Sequence, residues 1–384
     1  MEIGVAKMRV IMTCGGTGGH IYPAIAIANK IKEEHPNCKI VFIGTGRPLE
    51  KKIITAAGYE LRAISASGVH RKKIYKNVGT ARDLLKGMIQ AEKIIKDFNP
   101  RAVIGTGGYV CVPVITKAHK MGSKTYIQEQ NARPGMANRW LASKADKIFL
   151  GFEEASVFFK NKKKVYVTGN PIRKSFGVIS KTEARKQLFV KNNKFVILIF
   201  GGSLGASMIN KATVEAMVYL TNQADISIYF ITGNNYYESV LEELDEKGVL
   251  SNQSIKILKY AHNMDVLLSA ADLVVSRAGA LTLGEEALIG TPAILIPSPN
   301  VTGNHQYYNA KAVADRGGAV ILQEADLSGP RLVEEIMALK LDLERLNEMG
   351  KKIQELGSAK GVDLIYNHLG FNKEWIKGNI TNEK

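Results

Sequence analysis

Cysteine is scarce in this chain. Cys14, Cys38 and Cys111 are the only three in 384 residues. Their number is odd and no Cys-x-x-Cys spacing occurs, which argues against a disulfide framework or a zinc knuckle and fits a reducing cytoplasm. Paired acids are missing too. There is no Asp-x-Asp and no His-Glu-x-x-His, so no metal is expected, because a hard cation held by protein needs oxygen ligands. No apolar run reaches the ~18 residues of a membrane span, and the N-terminus lacks the basic and apolar regions of a signal peptide. Low-complexity tracts are absent as well. Acid is the minority charge: 36 Asp and Glu stand against 52 Lys and Arg, a net +16. That excess points to nucleic acid, anionic lipid or phosphate groups as partners, or simply to a basic solvated surface.

What is present is globular. The chain is 45% hydrophobic and 23% charged, and its length implies two domains. Short apolar runs alternate with helical patterns. Val10–Met12, Ile40–Ile43 and Ala102–Ile104 read as buried parallel strands in the first half. Phe195–Phe200, Ile226–Ile231, Leu273–Val275 and Ala293–Ile296 do so in the second. This is the pattern of an α/β doubly wound sheet. The rhythm restarts: Met8–Thr13 runs into Gly15-Gly16-Thr17-Gly18-Gly19, and Phe195–Phe200 into Gly201-Gly202-Ser203-Leu204-Gly205. Each then enters a helix, Ile21–Ile31 or Ala206–Leu220, so two Rossmann-like domains are expected. The join is placed at Gly169-Asn170-Pro171, giving domains over 1–170 and 171–354. A helix at about 355–377 is a candidate to pack back on the first.

The glycine loops lie where backbone N–H groups and a helix N-terminus can meet an anion; equally, glycine there permits a tight turn. Neither is a P-loop, since Gly-Lys-[Ser/Thr] is missing. The dinucleotide fingerprint also fails. Ile21 stands at the third glycine, and Gly44-Thr45-Gly46-Arg47 after the second strand carries no acid for a ribose. A third cluster, Gly105-Thr106-Gly107-Gly108-Tyr109, follows another strand. Loops on the carboxyl rims of two facing sheets predict a ligand cleft between the domains.

Several polar residues sit on these rims. His20 occupies the first turn of its helix and is the candidate base, since an imidazole exchanges protons near neutrality. Gln128-Glu129-Gln130-Asn131 offers amides suited to sugar hydroxyls, or a polar cap for the next helix. Ser276–Glu285 opens a helix near Ala280, and Glu285 can grip two vicinal ribose hydroxyls or favour the helix dipole. Gly303-Asn304-His305-Gln306 is another sugar-competent loop. Arg173 can reach a diphosphate, which amides and a helix end would also neutralise.

Between His70 and Pro100, eight basic residues (71, 72, 73, 76, 82, 86, 93 and 96) face three acids (83, 92 and 97), with apolar residues interleaved. Such a mixture suits an anionic membrane surface, best at the Arg71–Lys76 end. Alternatively Leu84, Leu85, Met88, Ile89, Ile94 and Ile95 pack on the sheet. Nucleic acid is disfavoured, since stacking aromatics are sparse and no recognition helix appears.

The motifs taken in order resemble the MurG family, UDP-N-acetylglucosamine–N-acetylmuramyl-(pentapeptide) pyrophosphoryl-undecaprenol N-acetylglucosamine transferases. They are GGTGGHIYPAIAIA (15–28), GTGGYVCVP (105–113), EQNARPG (129–135), GNPIR (169–173), GGSLGA (201–206), SRAGALTLGE (276–285) and NHQYYNA (304–310). The resemblance implies a GT-B fold: two Rossmann-like domains with parallel sheets facing across a cleft. It implies inverting, metal-independent transfer of GlcNAc from UDP-GlcNAc to the muramyl C4 hydroxyl of lipid I, giving lipid II, with no cofactor. Carried over by motif, the donor residues are Thr17, Gly18, Gly19, Asn131, Arg173, Ser203, Ala261, Ala280, Leu281, Thr282, Glu285 and Gln306. His20 and Gly107, Gly108 and Tyr109 would face the acceptor. Arg71, Lys72, Lys73, Ile74, Tyr75 and Lys76 would meet an anionic inner-leaflet surface, placing the protein peripherally on the cytoplasmic face of a bacterial cell membrane. Cell-wall and division proteins are further implied partners. One departure is Gln128, where the family commonly carries histidine; this shifts weight to His20. The competing readings are a UDP-GlcNAc 2-epimerase, a transferase to another glycolipid, and a non-catalytic nucleotide-sugar-binding scaffold.

Overall fold

The apolar runs become parallel strands buried from both sides. The computed structural model describes residues 8–68 and 77–371. The chain divides into two units, Met1–Ile172 with Lys360–Lys384, and Arg173–Ala359.

In the first unit, strands β1 (Arg9–Thr13), β2 (Lys39–Gly44), β3 (Glu60–Ala63), β4 (Ala102–Gly105), β5 (Lys124–Glu129), β6 (Lys147–Leu150) and β7 (Val165–Val167) form one sheet. Its order is β3-β2-β1-β4-β5-β6-β7, and every pairing is parallel. Helices α1 (Gly18–Glu34), α2 (Pro48–Ala56), α3 (Asn77–Phe98), α4 (Cys111–Lys120) and α5 (Met136–Leu141) connect the strands. Alternate strand residues feed opposite cores: Val10, Met12, Phe42 and Ile104 join α1, while Ile11, Val41, Ile43 and Val103 join α3 and α4. Both faces are covered, so the strands read as continuous apolar runs.

The second unit repeats the plan. Strands β8 (Phe195–Phe200), β9 (Ile226–Ile231), β10 (Ile255–Leu258), β11 (Leu273–Ser276), β12 (Ala293–Leu295) and β13 (Ala319–Ile321) order as β10-β9-β8-β11-β12-β13, again all parallel. Helices α6 (Lys181–Gln187), α7 (Ser207–Leu220), α8 (Tyr237–Glu246), α9 (Met264–Ala270), α10 (Ala280–Ile289), α11 (His305–Ala314), α12 (Gly329–Leu341) and α13 (Leu343–Gln354) surround it.

The last described helix, α14 (Gly361–Leu369), belongs to the first unit. Its Asp363 pairs with Lys30 of α1 at 2.6 Å, and the Leu369 carbonyl accepts from the Tyr126 hydroxyl at 2.9 Å. Among the described residues, no helix is long and apolar enough to cross a membrane.

Strand order reverses beside β1 in the first sheet and beside β8 in the second. In open α/β sheets ligands bind at the carboxyl ends of the strands flanking such a switch point. Those ends are β1 and β4 in one unit and β8 and β11 in the other, and each runs directly into a motif singled out above.

Candidate active site

In the first unit the β1 and β4 loops are knitted together by backbone. The Gly15 amide donates to the Gly107 carbonyl at 3.2 Å, and the Thr106 amide to the Thr13 carbonyl at 3.0 Å. The approach is so close that a β-carbon on Gly108 would lie 2.6 Å from the Gly15 oxygen. His20 stands in the first turn of α1, on this seam. Its Nδ1 is 2.8 Å from the Gly15 carbonyl, and its own carbonyl accepts from the Thr106 hydroxyl at 2.7 Å. A carbonyl oxygen only accepts, so Nδ1 carries the proton and Nε2 of the neutral ring keeps the lone pair. The amides of Thr17, Gly18 and Gly19 have no acceptor among the described residues, leaving the tip of α1 able to receive an anion. Tyr109 is part-exposed, its ring packed so tightly on Gly68 that a β-carbon there would lie 2.5 Å from Cε2.

Two expectations about this unit are corrected. The Gly16 amide does not face a ligand: it donates to the Glu50 carboxylate at 3.2 Å. Glu50, in the first turn of α2, is 1% exposed and also takes the amides of Thr45 and Gly46. An acid does therefore serve the second-strand loop, but it binds backbone. The sole sequence signal was an acid just past Arg47-Pro48, where helices favour negative charge. Gln128, Glu129 and Gln130 are likewise buried rather than offered to a sugar. Gln130 donates to Gln128 and to the Thr106 carbonyl, while Gln128 donates to Asn170 at 3.2 Å. Glu129 accepts from the amides of Asn131 and Gly135 and from the Asn138 side chain. These residues shape the β5 rim from within, and Asn131, half-buried, is the one that remains at its edge.

In the second unit the β8 loop turns through Gly202 and Gly205, both at positive φ. A β-carbon on Gly205 would stand 2.2 Å from the Thr232 carbonyl, so only glycine fits the turn. Ser203 is exposed ahead of α7, whose Ser207 and Met208 amides meet no acceptor among the described residues. Across the switch point, β11 ends at Ser276 and α10 starts at Ala280, bringing Leu281 and Thr282 into the first turn. Glu285 follows one turn later. Burial pushes its carboxyl up to about 7, although the Arg173 guanidinium, 3.4 Å away, pulls the other way and Asp265 adds to the rise. Glu286 faces inward and accepts from the Ser276 hydroxyl at 2.9 Å; burial chiefly, and Glu285 beside it, push it up to about 8. Arg173 also lies over the Phe176 ring at 4.9 Å. Gln306, in the first turn of α11, accepts the Ser298 amide at 2.8 Å through its oxygen, which leaves its NH2 for a ligand. Ala261 is half-buried, between Tyr260 and His262, whose rings meet edge to face at 4.9 Å.

On α3 the packing alternative holds for Ile95, which is buried, with Met88 and Ile94 half-buried. It fails for Leu84, Leu85 and Ile89; the last two are 65% and 70% exposed. Arg71, Lys72, Lys73, Ile74, Tyr75 and Lys76 lie outside the described residues. No cluster of metal-binding side chains occurs among the described ones.

Residues 10–150 match the glycosyltransferase family 28 N-terminal domain and residues 196–365 its C-terminal domain. A UDP-N-acetylglucosamine–N-acetylmuramyl-(pentapeptide) pyrophosphoryl-undecaprenol N-acetylglucosamine transferase of Alkaliphilus metalliredigens (strain QYMF) is 44% identical over 359 residues, covering 94% of this chain and 98% of that protein. The crystal structure of Acinetobacter baumannii MurG is similar with a TM-score of 0.75 at 27% identity, covering 94% of this chain and all of that one. Two Rossmann-like units in this order are the GT-B plan. A putative UDP-N-acetylglucosamine 2-epimerase from Listeria monocytogenes, 15% identical with a TM-score of 0.68 over 94% of this chain and 95% of its own, shares the fold alone.

Proposed function

The chain belongs to the family of UDP-N-acetylglucosamine–N-acetylmuramyl-(pentapeptide) pyrophosphoryl-undecaprenol N-acetylglucosamine transferases, and on that premise we propose that it transfers GlcNAc from UDP-GlcNAc to lipid I, forming lipid II. The observation that carries this reading is identity of 44% sustained over nearly the full length of both proteins.

The donor is assigned to the second unit. Glu285 takes the ribose hydroxyls, and Arg173 and the open amides of α7 meet the diphosphate. Gln306 presents its amide NH2 to the sugar, while Ser203, Ala261, Ala280, Leu281 and Thr282 line the approach. The acceptor is assigned to the first unit, along Gly107, Gly108 and Tyr109, while Thr17, Gly18 and Gly19 at the tip of α1 and Asn131 at the β5 rim complete the donor set. The reaction is one in-line displacement with inversion and without a metal. The muramyl C4 oxygen attacks the anomeric carbon as His20 Nε2 removes its proton, and UDP departs with its charge held by amide dipoles and Arg173. Nε2 is suited to the task because Nδ1 already donates to Gly15.

The protein works at an anionic cytoplasmic membrane surface, where its polyprenyl acceptor resides. Exposed Leu85 and Ile89, with Arg82, Lys86 and Lys93 on the same helix, support that placement.

Incubation with UDP-GlcNAc and a short-chain lipid I analogue, followed by mass analysis of the acceptor, tests the proposal. One added N-acetylhexosamine is expected. An unchanged acceptor with UDP-GlcNAc consumed or epimerised would refute it.

A further inference from the structure

Glu50 touches none of the candidate ligand-binding groups, yet its carboxylate accepts four hydrogen bonds. Its Oε1 accepts from the Gly16 amide at 3.2 Å and the Thr45 hydroxyl at 2.8 Å. Its Oε2 accepts from the Thr45 amide at 2.7 Å and the Gly46 amide at 2.9 Å. All four partners donate, as an ionised carboxylate requires. The charge is felt nearby: the buried Cys14 thiol is held well above its ordinary value by burial first, then by Cys111 and by Glu50.

The Gly16 N–H belongs to the same peptide group as the Gly15 carbonyl that receives His20 Nδ1–H at 2.8 Å. No described peptide bond is cis, so these two groups lie in one plane and point in opposite directions within it. The connection therefore runs from the Glu50 carboxylate, through the Gly15–Gly16 peptide, to the imidazole. The preceding Cys14–Gly15 peptide is held as well, by the Gly15 amide on the Gly107 carbonyl. In the familiar catalytic arrangement a carboxylate bonds the histidine directly; here a peptide group stands between them.

We propose that Glu50 is a positioning residue for His20, fixing the Gly15–Gly16 peptide so that its polarised carbonyl holds the imidazole with Nε2 open to the acceptor hydroxyl. The inference rests on the reading of His20 as the base. A carboxylate at the N–H end increases the negative charge on the oxygen at the other end, as bonds in a chain polarise one another. That oxygen in turn stabilises the ring that forms when Nε2 takes a proton. Glu50 touches neither substrate. It acts through geometry and charge, and its second oxygen fixes the adjacent loop so that the first cannot drift.

The test is a cycle of wild type, E50Q, H20A and the double variant, assayed for kcat and donor KM with a short-chain lipid I analogue. Glutamine offers one acceptor oxygen where four donors converge, so E50Q loosens the Gly16 contact. Expected is a drop in kcat of about tenfold or more in E50Q, with donor KM within about twofold of wild type. In the H20A background the same change should cost nothing further, because a residue acting only through His20 has no effect once His20 is gone. An equal loss in both backgrounds would overturn the proposal, since it would mark a purely structural role. Unimpaired E50Q beside a disabled H20A would overturn the relay alone; unimpaired H20A would overturn the base reading and the relay with it. Should E50Q not fold, the nitrogen-15 spectrum of histidine-labelled wild type decides. A neutral His20 protonated on Nδ1 supports the proposal, and one protonated on Nε2 overturns it.

Discussion

His20 and Gly107 compete for one volume. A β-carbon on Gly107 would lie 2.6 Å from His20 Cδ2 and 2.9 Å from Nε2, and Gly107 has φ +122°. Glycine at this point of the β4 loop is thus a condition for the ring to lie where it does, with its Nδ1 on Gly15.

Gly107→Ala should therefore damage chemistry more than donor binding. The new methyl must displace the imidazole or twist the loop, and a displacement of about 1 Å costs on the order of 10²-fold in rate. Steady-state kinetics should show kcat reduced by that order, with UDP affinity within a fewfold of wild type. Equal losses in both would mean that the loop serves the donor.

Glu285 gives a pH dependence with a definite sign. Its carboxyl is raised to about 7, so on the proposed donor assignment ionisation through that range supplies stronger acceptors for the ribose hydroxyls. Donor KM should fall as pH rises from about 6 to 8. In Glu285→Gln the KM should be higher and this trend absent, as measured by donor titrations across that range.

Glu286 predicts a stability trend. Its folded value, about 8, lies above the ordinary 4.5, so the folded protein holds a proton that the unfolded chain has lost. This contribution is fully present below the unfolded value and fades as pH climbs towards 8. The loss is at most about 1.4 kcal/mol per pH unit across that window. Denaturant unfolding at several pH values should show a flatter profile for Glu286→Gln, while an unchanged slope would assign the effect elsewhere.

The exposed pair on α3 tests membrane placement. Leu85→Ser with Ile89→Ser should weaken binding to anionic phospholipid vesicles by about a hundredfold or more, since burying each side chain is worth roughly 1.5–3 kcal/mol and about 1.4 kcal/mol is a factor of ten. Transfer to a water-soluble acceptor should be unchanged. Undiminished vesicle binding would move the membrane contact to another surface.

Much of this was legible in the sequence because central parallel strands must be apolar throughout. Val10–Met12, Phe195–Phe200 and Leu273–Val275 declare themselves, and the glycine loops after them mark the switch points. Glu60–Ala63 and Val165–Val167 did not. They are short strands at the sheet edges, partly exposed and of mixed polarity, so period and composition carry little signal. Most of the candidate site residues that sequence located follow strand ends, in loops or in the first two turns of the next helix. Glu50 escaped because its role depends on the β1–β2 adjacency, which brings residues 16, 45, 46 and 50 together. Gln128 and Gln130 looked sugar-competent because an amide's chemistry is the same inside and outside; burial alone decided their part.

The most direct test of the account is label transfer from UDP-[14C]GlcNAc to a short-chain lipid I analogue, with EDTA present and products separated by chromatography. Label is expected on the acceptor in one-to-one proportion with UDP released, undiminished by the chelator. Liberated UDP without labelled acceptor, or transfer abolished by EDTA and restored by a divalent cation, would contradict it.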